Sequence, residues 1–113
     1  MLESQEMLQA LYQEKTTLKK LIRDLQGRSK TKAETERIYR IAKAAQIKIE
    51  RENGTAVTLI TDLVAGNEQI AQLKADRDIA DMMYDACKQA IYATKTEIQI
   101  LTDLIKLEYN TTE

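Results

Sequence analysis

Apolar residues recur at alternating steps of three and four along residues 67–109, which is the spacing of one face of a long α-helix. This seam has eleven positions: Ile70, Leu73, Arg77, Ala80, Tyr84, Cys87, Ile91, Thr94, Ile98, Leu101 and Ile105. Neither Gly nor Pro interrupts the stretch, and a heptad-like repeat of this length predicts one helix roughly 60 Å long. We therefore expect residues 68–109 to form the longest helix of the chain.

A second apolar line runs beside the seam of this predicted helix. Its members are Ile79, Met83, Ala86, Ala90, Ala93, Ile100, Leu104 and Leu107. Two adjacent lines form a stripe wide enough to contact two partner helices.

The first half of the chain predicts two shorter helices, over residues 2–26 and 31–53. Leucines at helical spacing indicate the first, and Gly27 is its predicted end. Thr31 and Glu34 fit a capping box that would start the second. A single helix that continues through Gly27 remains an alternative, since a lone Gly costs only about 1 kcal/mol. The predicted buried stripe of the second helix is Ile38, Ile41, Ala42, Ala45 and Ile49.

The segment between these helices and the long one predicts a corner. Gly54 is expected to end the second helix in a left-handed cap. A short helix over residues 58–65, capped by Thr58, would follow, and Asn67 would cap the long helix.

Together these elements predict an all-α fold in a single domain, 1–113. Its architecture would be a helical hairpin, a short corner helix and a long C-terminal helix, arranged as a three-helix bundle resembling a coiled coil. The two hairpin helices are too short to cover the third, so we expect a homo-oligomer, with a dimer favoured. The residues expected to form the core or the oligomer contact are Ile70, Leu73, Tyr84, Cys87, Ile91, Ile98, Leu101 and Ile105.

Composition excludes most catalytic chemistry. The 113 residues contain no His, Trp, Phe or Pro, three dispersed Gly and one Cys. Histidine triads, histidine-containing metal motifs and Gly-rich phosphate loops are therefore absent from this sequence. We expect a protein that is not an enzyme and that uses no cofactor or metal. The single cysteine and the lack of a long apolar run favour the cytoplasm and no membrane.

Charge is distributed unevenly although the net charge is only −1. Residues 1–14 carry a net charge of −3, residues 15–51 a net +8 and residues 52–113 a net −6. The basic stretch suggests contact with nucleic-acid phosphates, with Tyr39 stacking on a base. The candidate contacts are Lys30, Lys32, Arg37, Tyr39, Arg40 and Lys43. The alternative is that the basic helix pairs with the acidic C-terminal half, in the same chain or in a partner subunit.

Several other polar residues have two possible roles. Asp78, Asp81 and Asp85 share a helix face and could hold a divalent cation, although a solvated face, or a surface complementary to the basic second helix, is the favoured interpretation. Arg77 interrupts the seam and would either reach solvent or pair with a carboxylate of another helix. Cys87 is expected to be a small buried hydrophobe.

The run from Val57 through Asn67 to Glu68, followed by Ile70-Ala71-Gln72-Leu73 and Arg77-Asp78-Ile79-Ala80, resembles a family of small all-helical proteins. These proteins are encoded by temperate phages and prophages of Gram-positive bacteria, often among early replication and recombination genes. The resemblance continues through Tyr84, Ala90 and Ile98-Gln99-Ile100-Leu101 and covers about residues 35–109. It implies a phage origin and the host cytoplasm, and it assigns no site residues.

These observations favour a non-enzymatic, phage-encoded helical interaction protein that oligomerises and binds a host or phage protein. The alternative is a nucleic-acid-binding accessory factor in phage replication or recombination. A weaker alternative is an inhibitor of a host defence system.

Overall fold

The computed structural model describes residues 3–112, and within them the chain forms three α-helices and no strand. The helices are α1 (Ser4–Glu52), α2 (Val57–Ala65) and α3 (Glu68–Thr112). The expected all-α fold with one long C-terminal helix is therefore confirmed. No helix in this part of the chain is both long and apolar enough to cross a membrane.

The predicted hairpin of two helices before residue 53 is wrong, because α1 is a single helix of 49 residues. Gly27 lies inside it with open space around the position of a missing Cβ. The predicted capping box does not form: the Thr31 carbonyl accepts a hydrogen bond from Thr35 Oγ1 at 2.9 Å, and the Glu34 carboxylate pairs with Arg37. A helix of this length absorbs the cost of one glycine, which is about 1 kcal/mol.

The connection between α1 and α2 contains the left-handed residue expected at the end of α1. Gly54 has φ of 78°, and the Thr55 amide donates back to the Glu50 carbonyl at 3.0 Å. The Thr55 hydroxyl also donates to the Glu50 carboxylate at 2.7 Å. The end predicted at Gly54 is therefore confirmed.

The starts of α2 and α3 differ in their capping. The predicted Thr58 cap is wrong, because α2 begins at Val57 after Ala56, which provides no side-chain hydrogen bond. The predicted Asn67 cap is confirmed: Asn67 Oδ1 accepts a hydrogen bond from the Ile70 amide at 3.1 Å. Asn67 thus satisfies one of the amides that a helix start leaves unpaired.

The chain divides into two compact units. Unit 2 comprises Arg28–Tyr84 and contains the end of α1, all of α2 and the start of α3. Its core is a cluster of Tyr39, Ile60, Val64 and Ile70, against which Ala42, Ile47 and Leu73 pack. Contacts pair Arg28 with Met83 and Glu36 with Arg77, so α1 and α3 are antiparallel in this unit.

Unit 1 contains the described residues within Met1–Gly27 and Asp85–Glu113. It consists of the start of α1 and the rest of α3. Its buried residues are Met7, Cys87, Ile91, Thr94 and Leu101, and the leucines of α1 in this unit are half-buried. Two paired helices without a third layer form a thin core, which is a weak basis for independent stability.

Candidate interaction surfaces

All eleven positions of the α3 seam are buried or half-buried. In unit 2 these are Ile70, Leu73, Arg77, Ala80 and Tyr84, and in unit 1 they are Cys87, Ile91, Thr94, Ile98, Leu101 and Ile105. The seam is therefore occupied by packing within each unit. A second subunit would have to contact a different part of α3.

The predicted buried stripe of α1 is wrong in its register. Ile38, Ile41, Ala45 and Ile49 are exposed, and only Ala42 is half-buried. The inward side of this part of α1 consists of the residues that follow them, with Tyr39 in the core. A tyrosine can fill the core with its ring while its hydroxyl stays near polar groups.

Unit 2 has one side that carries most of its exposed aliphatic residues, and we call this side the apolar face. It contains Ile38, Ile41, Ala45, Ile49, Leu59, Leu63, Ile79 and Met83, and its seven large side chains are 38–58% exposed. Single exposed apolar residues are ordinary on a protein surface, but a group of this size on one side is typical of an interaction site.

The register of α1 and α3 places the exposed residues of these two helices on one side of the pair, and Leu59 and Leu63 lie on one flank of α2, each beside a buried residue. Each of the eight residues directly precedes an inward-facing residue of its own helix. Consecutive residues are about 100° apart around the helix axis, so all eight are displaced from the inward side in the same sense. For antiparallel helices, the same rotation places both sets on the same side of the pair. The residues that follow them are Tyr39, Ala42, Gln46, Glu50, Ile60, Val64, Ala80 and Tyr84, all of them buried or half-buried.

In unit 1 the second apolar line of α3 is exposed in the same way, and we call this segment the outer line. Ala86, Ala93, Ile100, Leu104 and Leu107 are exposed, and Ala90 is half-buried. The outer line was expected to face another helix, but no helix of unit 1 covers it. The sequence predicted that two short N-terminal helices would leave part of α3 uncovered. That reason is wrong, because α1 is a single helix as long as α3. The outer line is nevertheless exposed.

The other side of unit 2 carries a network of charged side chains centred on Arg77. Arg77 Nε lies 3.4 Å from Glu36 Oε2 on α1, and its Nη2 lies 3.0 Å from Asp78 Oδ1. Arg40 binds Glu36 at 2.6 Å, and Lys74 lies 3.7 Å from Asp78. Arg77 therefore pairs with a carboxylate of another helix, as one of the two alternatives predicted.

The guanidinium of Arg77 also covers the core tyrosine. Its central carbon lies 4.6 Å from the centre of the Tyr39 ring, and Lys43 Nζ lies 5.7 Å from the same ring. Lys32 Nζ lies 4.4 Å from the centre of the Tyr84 ring. Cations over aromatic faces are attracted by the ring quadrupole. The Arg77–Tyr39 and Lys32–Tyr84 contacts join α1 to α3 at two seam positions that are not aliphatic.

Hydrogen bonds from arginines lower the pKa of three carboxyl groups in unit 2. Arg40 lowers the pKa of Glu36, and Arg77 lowers the pKa of Asp78. Arg37 lowers the pKa of Glu34 by donating a bidentate pair of hydrogen bonds to its carboxylate. In each case the ionised form accepts the hydrogen bond and is favoured over the protonated form.

The residues proposed for nucleic-acid contact have different surroundings. Tyr39 is only 7% exposed with cations over its ring, so the predicted stacking on a base is wrong. Arg37 and Arg40 pair with Glu34 and Glu36 of their own helix. Lys30 and Lys43 are exposed, and Lys32 is half-buried beside Tyr84.

Pairing between a basic α1 and an acidic α3 takes a different form from the one expected. In the ion pair between Arg77 and Glu36, the base lies on α3 and the acid on α1. Asp78, one of the three aspartates considered for a metal, binds Arg77 and Lys74. Across residues 3–112, no group of three or more metal-ligating side chains comes together.

Cys87 is buried in unit 1, as expected for a small apolar residue. Its thiol donates to the Leu21 carbonyl at 3.4 Å, and Thr94 bonds the Ala90 carbonyl of its own helix at 2.8 Å. Both polar groups are therefore satisfied inside the seam.

A scan against protein-family models finds no match. Searches of curated proteins and of solved structures also find no match.

Proposed function

We propose that this chain is a non-enzymatic helical interaction protein that forms a homodimer and binds a protein partner. The observation that supports it is the apolar face of unit 2, together with the outer line of unit 1. The phage setting implied by the resemblance, with a host or phage protein as the partner in the host cytoplasm, is part of the proposal.

The free energy available from the apolar face can be compared with the cost of binding a second copy. Fully burying one large aliphatic side chain contributes about 1.5–3 kcal/mol. Two copies packed face to face would bury the exposed half of fourteen such side chains, for a gross gain of roughly 10–20 kcal/mol. Association costs about 4–15 kcal/mol, and the middle of the range of gain exceeds the middle of this range of cost, which supports a dimer.

Charge substitutions on this face test the dimer directly. Ile41→Glu and Ile79→Glu each place a carboxylate in the proposed interface, and we expect light scattering to show monomers. Val57→Glu is the matched control, because Val57 is a large aliphatic residue that is 83% exposed and lies on the other flank of α2 from Leu59 and Leu63. If Val57→Glu dissociates the dimer as well, or neither face variant does, the apolar face is not the interface.

A nucleic-acid-binding accessory factor is a second candidate, favoured by exposed cations on α1. Lys30, Lys43 and Lys48 are exposed, and phosphate contacts would give an affinity that falls steeply with salt. Gel shifts with single- and double-stranded DNA and RNA test it. Binding at low salt that is lost when all three lysines are replaced by Glu would support this function. The absence of any gel shift at low salt would rule it out.

A further inference from the structure

Unit 2 has a groove on the side opposite to the apolar face. It lies between all three helices of the unit and has a volume of about 400 Å³. From α2 it is lined by Thr61 and Ala65, which lie on the other flank of that helix from Leu59 and Leu63. The groove is therefore a surface separate from the one proposed for dimerisation.

The floor of the groove is apolar and its edges carry small side chains. Tyr39, Ile60, Val64 and Ile70, the core cluster of the unit, form the floor. Ala65 and Ala71 lie at the edge and are exposed. A groove of this size with a mainly aliphatic lining suits one or two large apolar side chains of a ligand.

The net charge around the groove is positive. Lys43 of α1 and Lys74 of α3 line it from two sides, and no carboxylate does. The adjoining network adds Arg40 and Arg77 with the carboxylates of Glu36 and Asp78. These four cations and two carboxylates leave a net charge of +2, which favours an anionic ligand.

We propose that this groove binds an acidic peptide segment of a partner protein. A large aliphatic side chain of the segment would lie on the floor, with flanking carboxylates beside Lys43 and Lys74. This arrangement combines an apolar anchor with charged groups at its rim, as peptide-binding grooves do. The inference rests on the proposed function, since it names the chemistry of the partner.

The structure favours a peptide over a nucleic acid at this groove. Arg77 and Lys43 cover the ring of Tyr39. Base recognition on single strands relies on an open aromatic face, and the floor offers none. Aliphatic side chains need no such face and gain from burial alone.

Nuclear magnetic resonance of the isotope-labelled full chain can locate the ligand. The probe is a twelve-residue peptide of Glu, Gln and Ala with two leucines four positions apart. We expect amide shifts at Thr61, Ala65 and Ala71, and an affinity that weakens as salt is added. A peptide with both leucines changed to Ser, and one with every Glu changed to Gln, should each have a dissociation constant at least about tenfold higher than the probe.

Matched variants separate groove binding from non-specific attraction. Ala71→Trp fills the groove and Lys43→Glu with Lys74→Glu reverses its charge, so each should weaken the probe at least about tenfold. Ala75→Trp, and the double variant Lys30→Glu with Lys48→Glu, make the same changes at exposed positions outside the groove. These controls should stay within about twofold of the unmodified chain, which is within the range of ordinary surface substitutions.

Three results would overturn the inference: no shift at any salt concentration, shifts confined to the apolar face, or tighter binding of decanoate or oligo(dT) than of the peptide. The mass of each sample, measured by light scattering, reports on the dimer separately. A monomer that binds the peptide in the groove would contradict the dimer alone, whereas a dimer that fails to bind it would contradict only the groove.

Discussion

The Arg77 guanidinium lies 4.6 Å from the centre of the Tyr39 ring and 3.4 Å from the Glu36 carboxylate, so one side chain of α3 contacts both an aromatic and an acidic residue of α1. Within the part of the seam that belongs to unit 2, this charged position fixes which residues of the two helices face each other.

Replacing Arg77 should therefore destabilise the protein more than replacing an exposed partner in the same network. Arg77→Ala removes the contact over Tyr39 and leaves Glu36 without its partner on α3, for an expected loss of about 1–3 kcal/mol. Lys74→Ala removes an exposed ion pair, for which we expect about 0–1 kcal/mol. Urea unfolding measures both, and equal losses would show that Arg77 is not central to the network.

Stability should fall at acidic pH because of the same network. The pKa values of Glu34, Glu36 and Asp78 are lower in the folded chain than in the unfolded chain. Their contribution to the free energy of unfolding is thus complete above the ordinary carboxyl pKa of about 4 and is lost as pH falls through the folded values. Urea unfolding across this window measures the loss.

Arg77→Met is the matched variant for this pH dependence. It keeps an apolar stem of similar length and removes the hydrogen bond that lowers the pKa of Asp78. The acid-induced loss of stability should be smaller in this variant than in the unmodified chain. An unchanged pH dependence would assign the effect to other carboxyl groups.

Gly27 gives a prediction about the continuity of α1. Its φ lies outside the left-handed region, and a Cβ there would meet no atom within 4 Å. Gly27→Ala should therefore stabilise the chain by about 0.5–1 kcal/mol, since it removes conformational freedom from the unfolded state. A destabilised variant in thermal or urea unfolding would mean that the helix breaks at this residue.

The two helix starts of the corner offer a paired test of capping. Asn67→Ala removes the bond to the Ile70 amide and should cost about 1 kcal/mol. Ala56→Ser supplies a hydroxyl at a start that lacks one and should gain about 0.5–1 kcal/mol. Opposite signs in the two unfolding experiments are the expected result; a neutral Asn67→Ala would argue against this cap.

The sequence predicted the seam of α3 well, because nine of its eleven positions are apolar or Tyr and no Gly or Pro interrupts them. The Gly27 break was predicted wrongly because one glycine costs little against the rest of a 49-residue helix. Ile38, Ile41 and Ile49 were predicted to form the buried stripe of α1 because they are apolar and recur at helical spacing, but they are exposed.

The structure places Tyr39 in the core instead, and the Arg77 guanidinium of α3 lies over its ring. That contact joins residues 38 positions apart, and helical spacing along one segment holds no information about it. The groove likewise depends on three segments meeting, so its lining could not be predicted from any one of them.

The dimer is the central claim, and sedimentation equilibrium of the unmodified full chain over a micromolar concentration series tests it most directly. The apolar face and the outer line predict a species of twice the chain mass, and Ile41→Glu and Ile79→Glu should return it to the mass of one chain. A single-chain mass for the unmodified protein throughout the series would contradict the account.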